Sequence, residues 1–85
     1  MARLESHGAQ YGVDTPADVF FELGMKYATG RDVSRDMIEA HKWMNIAATK
    51  GSRVAAARRS EFADEMSQSE VAAAQRAARE FLQLH

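Results

Sequence analysis

The stretch from residue 17 to residue 51 reads ADVFFELGMKYATGRDVSRDMIEAHKWMNIAATKG and contains two apolar patterns separated by Gly30. In each pattern the large side chains recur at intervals of three and four residues, which places them on one helix face. The second pattern ends at Gly51. Because glycine readily adopts positive φ, both glycines predict helix ends. The stretch therefore predicts a helical hairpin.

Capping residues set the predicted bounds of this hairpin. Thr15 precedes Pro16 and is expected to cap a first helix that runs to about residue 29, because a threonine hydroxyl can accept a hydrogen bond from a free helix N–H. Ser34 is expected to cap a second helix over residues 35–50. The loop between the two helices is short, so they are expected to pack antiparallel.

Two further helices are predicted after Gly51. Ser52 is expected to cap a helix over residues 53–66. Ser67 and Glu70 then have the spacing of a capping box, which predicts a last helix over residues 68–83. The fold class is therefore all-α, with two antiparallel helical hairpins.

The composition indicates one small globular domain of 85 residues, since 46% of the residues are hydrophobic and 27% are charged. The sixteen alanines favour helix. There is no cysteine, which excludes disulfide scaffolds and thiol catalysis. A net charge of −1 argues against a general nucleic-acid or membrane-surface binder. The amino-terminal residues lack the apolar run of a secretory signal, so a cytoplasmic location is predicted.

The chain divides into three parts in this interpretation. Residues 1–14 are expected to form a mobile leader, with Tyr11 or Val13 against the body of the protein. Residues 15–51 form the first hairpin, and residues 52–85 form the second hairpin with an apolar tail.

One set of spaced residues in the first hairpin is more specific than a helical period. Gly24 is small enough for two helices to cross closely, and Trp43 is large enough to fill the space between them. The full set is Leu23, Gly24, Tyr27, Gly30, Val33, Asp36, Ala40, Trp43, Ala47, Ala48 and Gly51.

This set resembles the Sel1-like repeat, a relative of the tetratricopeptide repeat, over residues 17–52. The sequence departs from the family where Asp32 replaces a glycine and Met44 replaces an aromatic residue. No Leu-Gly follows Gly51 at the repeat spacing, so residues 52–85 are expected to be an eroded repeat or a capping hairpin of a minimal α-solenoid. The resemblance implies a scaffold for protein–protein contacts, in which the repeat positions are structural.

The residues that could support chemistry do not form a catalytic or metal-binding pattern. His7, His41 and His85 lack the spacing of a zinc site, and His41 is expected to be a surface or half-buried residue. Asp32 and Asp36 are explained by a turn and by the helix dipole. We therefore predict no enzyme activity, no metal and no cofactor.

Three groups of residues are candidate contacts for a partner protein. Phe21 and Met25 lie on the first helix, which in solenoids commonly lines the concave surface; the alternative is that the amino-terminal leader buries them. Arg58 and Arg59 belong to a basic cluster with Lys50 and Arg53, which is alternatively a solvated face. The apolar tail contributes Phe81, Leu82 and Leu84, with Phe81 and Leu82 expected to pack on the third helix.

The function predicted from the sequence is a non-enzymatic interaction module that acts as a small adaptor or regulator of a partner protein. One alternative is a self-associating structural protein whose last helix pairs with a second copy. A less favoured alternative is nucleic-acid binding through the Lys50–Arg59 patch.

Overall fold

The computed structural model describes residues 11–84, which form four α-helices and no strand. The helices are α1 (Ala17–Thr29), α2 (Met37–Thr49), α3 (Arg53–Asp64) and α4 (Gln68–Leu84). The all-α prediction with four helices is therefore confirmed. Over the described residues no helix combines the length and apolar character needed to cross a bilayer.

The start of α1 differs from the prediction. The Thr15 hydroxyl accepts a hydrogen bond from the Gly12 N–H at 2.9 Å, and the Thr15 N–H donates to the Gly12 carbonyl at 3.1 Å. Pro16 occupies the N-cap position, with no side-chain hydrogen bond to the helix. The prediction that Thr15 caps α1 is wrong, because its hydroxyl closes the turn that precedes the helix.

The start of α2 also differs, because Asp36 and not Ser34 is the cap. The Asp36 carboxylate accepts hydrogen bonds from the N–H groups of Ile38 and Glu39, both at 3.1 Å. The Asp36 N–H donates to the Tyr27 carbonyl at 3.0 Å, which holds Asp36 extended (φ −152°) against the end of α1. The helix therefore begins only after residue 36.

Replacing Asp36 by alanine is expected to lower the free energy of unfolding by about 1 kcal/mol, since two N–H groups lose their acceptor. Ser34→Ala is the matched control and should change stability by less than about 0.5 kcal/mol, because Ser34 is exposed and caps nothing. Urea unfolding followed by circular dichroism measures both variants. Equal losses in the two variants would contradict the assignment of the cap.

The remaining helix caps and glycine turns are as predicted, and one helix end differs. Gly30 ends α1 at φ +73°, and Gly51 follows α2 at φ +108°. The Ser52 hydroxyl accepts from the Ala55 N–H at 3.0 Å. Ser67 and Glu70 form both bonds of the capping box, at 3.1 Å and 2.8 Å. The third helix ends at Asp64, two residues earlier than predicted.

The second helix, α2, is the centre of the domain. Each of the other three helices packs against it, and it contributes six buried residues, more than any other helix: Ala40, His41, Trp43, Met44, Ile46 and Ala47. A Cβ at Gly24 would lie 2.9 Å from Met44 Cε, so α1 crosses α2 closely at that point.

The two predicted hairpins differ in their packing. Phe20, near the start of α1, stacks on Trp43, and the carbonyl of Tyr27, near its end, accepts from Asp36 before α2, so α1 and α2 run antiparallel. In contrast, α3 and α4 approach each other at few points. The expectation that α3 and α4 pack closely as a hairpin is therefore wrong, since both bury their apolar residues against α2.

Four aromatic rings from distant parts of the chain form the core beside α2. The Trp43 ring lies 5.8 Å from Phe20, 6.0 Å from Tyr11 and 5.2 Å from Phe81, measured between centroids. Tyr11 therefore packs against the body, whereas Val13 is 74% exposed. Residues 1–10 of the predicted leader lie outside the described residues, as does His85.

Candidate functional site

The two contact residues predicted on α1 are partly buried. Phe21 and Met25 pack against the core, and each retains only part of its surface for a partner. Val19 is two positions from Phe21, which turns it by about 200° around the helix axis to the other flank of α1. The open groove of this helix lies on that other flank.

This groove has a volume of about 430 Å³ and combines one face of α1 with a residue from the preceding segment. Residues 18, 22 and 26 follow each other at intervals of four, as do residues 19 and 23, so they form two neighbouring ridges of the helix. The lining residues are Tyr11, Asp18, Val19, Glu22, Leu23, Lys26 and Arg31.

The floor of the groove is apolar and its rim is charged. Val19 is 37% exposed, and Leu23 and Tyr11 are half-buried with their inner sides against the core. On the rim the Arg31 Nη2 lies 3.8 Å from Glu22 Oε1. An apolar centre bordered by charged residues is common in protein interfaces, where it anchors one or two bulky side chains.

Two other rim charges have no ion-pair partner among residues 11–84. Asp18 lies in the first turn of α1 and Lys26 in its last turn. They are eight positions apart, which is about 12 Å along the helix. The groove therefore presents a negative charge at one end and a positive charge at the other.

The side chains of the predicted basic cluster differ in their contacts. The Lys50 ammonium donates to the Val13 carbonyl at 3.2 Å and lies 5.8 Å from the centre of the Phe20 ring. Arg58 forms an exposed ion pair with Glu61 at 3.2 Å. Arg59 turns inward and donates to Asn45 Oδ1 at 2.7 Å. These side chains have separate partners, and Arg53 is exposed.

The three apolar residues of the tail have different environments. Phe81 is 7% exposed and lies 5.7 Å from Phe20 and 5.2 Å from Trp43. Its ring packs against Phe20 of α1 and Trp43 of α2 and is covered within the fold. Leu82 is half-buried against the core, and Leu84 is 77% exposed.

The positions that carry the resemblance are mostly buried or half-buried. Ala40, Trp43, Ala47 and Gly24 are buried. Leu23, Tyr27, Val33 and Ala48 are half-buried, and burial together with Glu39 and Asp36 raises the pKa of Tyr27. Asp32 adopts the left-handed conformation (φ +65°), which aspartate tolerates better than most residues. These positions do not line the groove, apart from Leu23.

His41 is buried, with 2% of its surface exposed, which corrects the expectation of a surface or half-buried residue. Burial and the nearby Arg59 guanidinium lower the pKa of its imidazole. Over residues 11–84 no group of three His, Asp or Glu side chains is arranged to hold a metal ion.

Most residues of the groove were not predicted from the sequence. Val19 and Leu23, four positions apart and bordered by charges, were the available signal on α1. Tyr11 lies in a segment without a helical period, so no pattern pointed to it.

No protein-family model, no curated protein and no solved structure matches this chain.

Proposed function

We propose that this chain is a non-enzymatic interaction module of the cytoplasm, which binds a segment of a partner protein in the groove of α1 and thereby acts as a small adaptor or regulator. The observation that carries the proposal is the partly exposed apolar floor formed by Tyr11, Val19 and Leu23 beside a row of charged residues. Such a floor loses its bound water when a partner covers it, while the charged residues fix the orientation of the partner.

The chemistry of the groove defines the partner segment. A cavity of about 430 Å³ accepts one or two bulky apolar side chains. The free charges of Asp18 and Lys26 select a segment with a basic residue toward the start of α1 and an acidic residue toward its end. Glu22 and Arg31 pair with each other and add little preference.

The proposal includes the Sel1-like interpretation of the fold. Residues 15–51 would be one repeat hairpin, supported by the close crossing of Gly24 and Met44 and by the burial of Trp43. Residues 52–85 would cap it, because Ala74, Ala78 and Phe81 bury the apolar side of α4 on the first hairpin.

A charged residue in the floor of the groove provides the test. Val19→Asp should reduce recovery of the partner protein by at least about tenfold, because the carboxylate would have to be desolvated on binding. Val54→Asp is the matched control. Val54 also lies in the first turn of a helix and is 59% exposed, but it is outside the groove. The expected result is one protein that co-purifies with the wild type and Val54→Asp but not with Val19→Asp.

Two outcomes would contradict the proposal. The first is that Val19→Asp retains the partner while its circular dichroism spectrum is the same as that of the wild type. The second is equal loss in both variants, which would indicate general damage. Light scattering on the same three proteins identifies a second copy as the occupant, since Val19→Asp alone would then convert an oligomer to a monomer and support the self-association alternative.

A further inference from the structure

A second cavity lies beside α2 and shares no lining residue with the groove on α1. It has a volume of about 380 Å³ and opens where α3 and α4 diverge after packing on α2. Each of these three helices contributes side chains to its wall, which is mainly polar. The lining residues are His41, Asn45, Arg59, Ser60, Ala63, Val71 and Gln75.

Arg59 is the only Arg, Lys, Asp or Glu side chain in this wall. Its Nη1 donates to Asn45 Oδ1 at 2.7 Å, which fixes the direction of the guanidinium. Within residues 11–84 it makes no ion pair, whereas the neighbouring Arg58 pairs with Glu61. A guanidinium has five N–H donors in a planar fork, so most of them stay available after the bond to Asn45.

His41 gives an independent indication that the cavity takes a polar ligand. The side chain is 2% exposed, and its Nδ1 has no hydrogen-bond partner among the described residues. Nearly all buried polar side-chain atoms in folded proteins have such a partner. A polar group bound in the cavity would give the His41 Nδ1 a hydrogen-bond partner.

We propose that this cavity binds a small monocarboxylic acid, whose carboxylate pairs with the Arg59 guanidinium. One fixed positive charge balances one carboxylate, and the planar fork matches its two oxygen atoms. A phosphate would bring a second negative charge for which the wall has no partner. Ala63 and Val71 provide apolar contact for a short aliphatic chain, and Ser60 and Gln75 provide further polar groups.

Titration of the isotope-labelled full chain with butyrate tests the proposal by nuclear magnetic resonance at constant ionic strength. Butyrate should shift the Arg59 side-chain and Asn45 amide signals to saturation, with a dissociation constant on the order of 1 mM for so small a ligand. Butyramide has the same shape without the charge and should leave these signals unchanged. Inorganic phosphate should bind more weakly than butyrate.

Two variants assign the site. Gln75→Glu places a carboxylate in the wall at an exposed position, so the fold is kept while the added carboxylate competes for Arg59. It should weaken butyrate binding by at least about tenfold, as should Arg59→Gln. Arg58→Gln is the control and should bind butyrate like the wild type, because Arg58 is outside the cavity.

The proposal is overturned if butyrate causes no saturable shift, if butyramide binds equally well or if phosphate binds more tightly. It is also overturned if Gln75→Glu binds butyrate like the wild type, or if Arg58→Gln loses binding to the same extent as Arg59→Gln. These outcomes do not bear on the proposed function of the groove on α1, because none of the altered residues lines that groove.

Discussion

Replacing Trp43 by alanine is expected to lower the free energy of unfolding by about 3–5 kcal/mol. Trp43 is 1% exposed, and the rings of Tyr11, Phe20 and Phe81 surround it at centroid distances of 5.2–6.0 Å. The loss leaves a cavity where the segment before α1, α1 itself, α2 and α4 meet. A chain of 85 residues has a total stability of only about 4–13 kcal/mol. The variant should therefore lose a large part of its stability and unfold at a clearly lower urea concentration than the wild type.

Trp43→Phe is the matched control for this variant. Phenylalanine keeps an aromatic ring in the cluster but removes the hydrogen bond from the indole N–H to Glu39, which is 3.1 Å long. We expect a smaller loss, of about 1–2 kcal/mol. Circular dichroism must follow the urea unfolding of both variants, because Trp43 is the only tryptophan. A loss below about 1 kcal/mol for Trp43→Ala would contradict the position of Trp43 at the centre of the core.

The features that were predicted correctly depend on residues close in sequence. Ser67 and Glu70 form the capping box because both bonds are made within four residues. Gly30 ends α1 at positive φ because glycine has no Cβ to oppose that conformation. The existence of four helices follows from such local signals together with the apolar period.

Most of the features that were missed depend on contacts between residues that are farther apart in the sequence. Asp36 caps α2 because the carbonyl of Tyr27, nine positions earlier, holds its N–H. Ser34 has the same capping chemistry, so the two could not be distinguished by type alone. Phe81 has the helical period of α4, but a period identifies a face and does not identify the helix that covers it.

The position of the groove was missed for the same reason. α1 has apolar residues on two flanks, Phe21 and Met25 on one and Val19 and Leu23 on the other. The apolar residues of both flanks recur at a helical period, so the period does not distinguish them. The tertiary packing decides which flank remains exposed. Burial of His41 also depends on α3 and α4, which lie on the same side of α2.

Replacing Phe81 by alanine is expected to cost about 3–5 kcal/mol and to release the end of α4 from the first hairpin. The Phe81 ring is 7% exposed and packs edge-to-face on both Phe20 and Trp43. Leu84→Ala is the control from the same tail. Leu84 is 77% exposed, so its truncation should change the free energy of unfolding by less than about 0.5 kcal/mol.

Trp43 fluorescence distinguishes a packed tail from a free one, since the Phe81 ring covers the indole at 5.2 Å. In the native state of Phe81→Ala water gains access to Trp43, and the emission maximum should move to longer wavelength. Leu84→Ala should keep the emission of the wild type. If both variants kept the wild-type emission and stability, Phe81 would be free in solution and the tail could serve as a recognition segment. A red shift in Phe81→Ala but not in Leu84→Ala would indicate that α4 is an integral part of the core. Phe81 would then both stabilise the fold and cover Trp43.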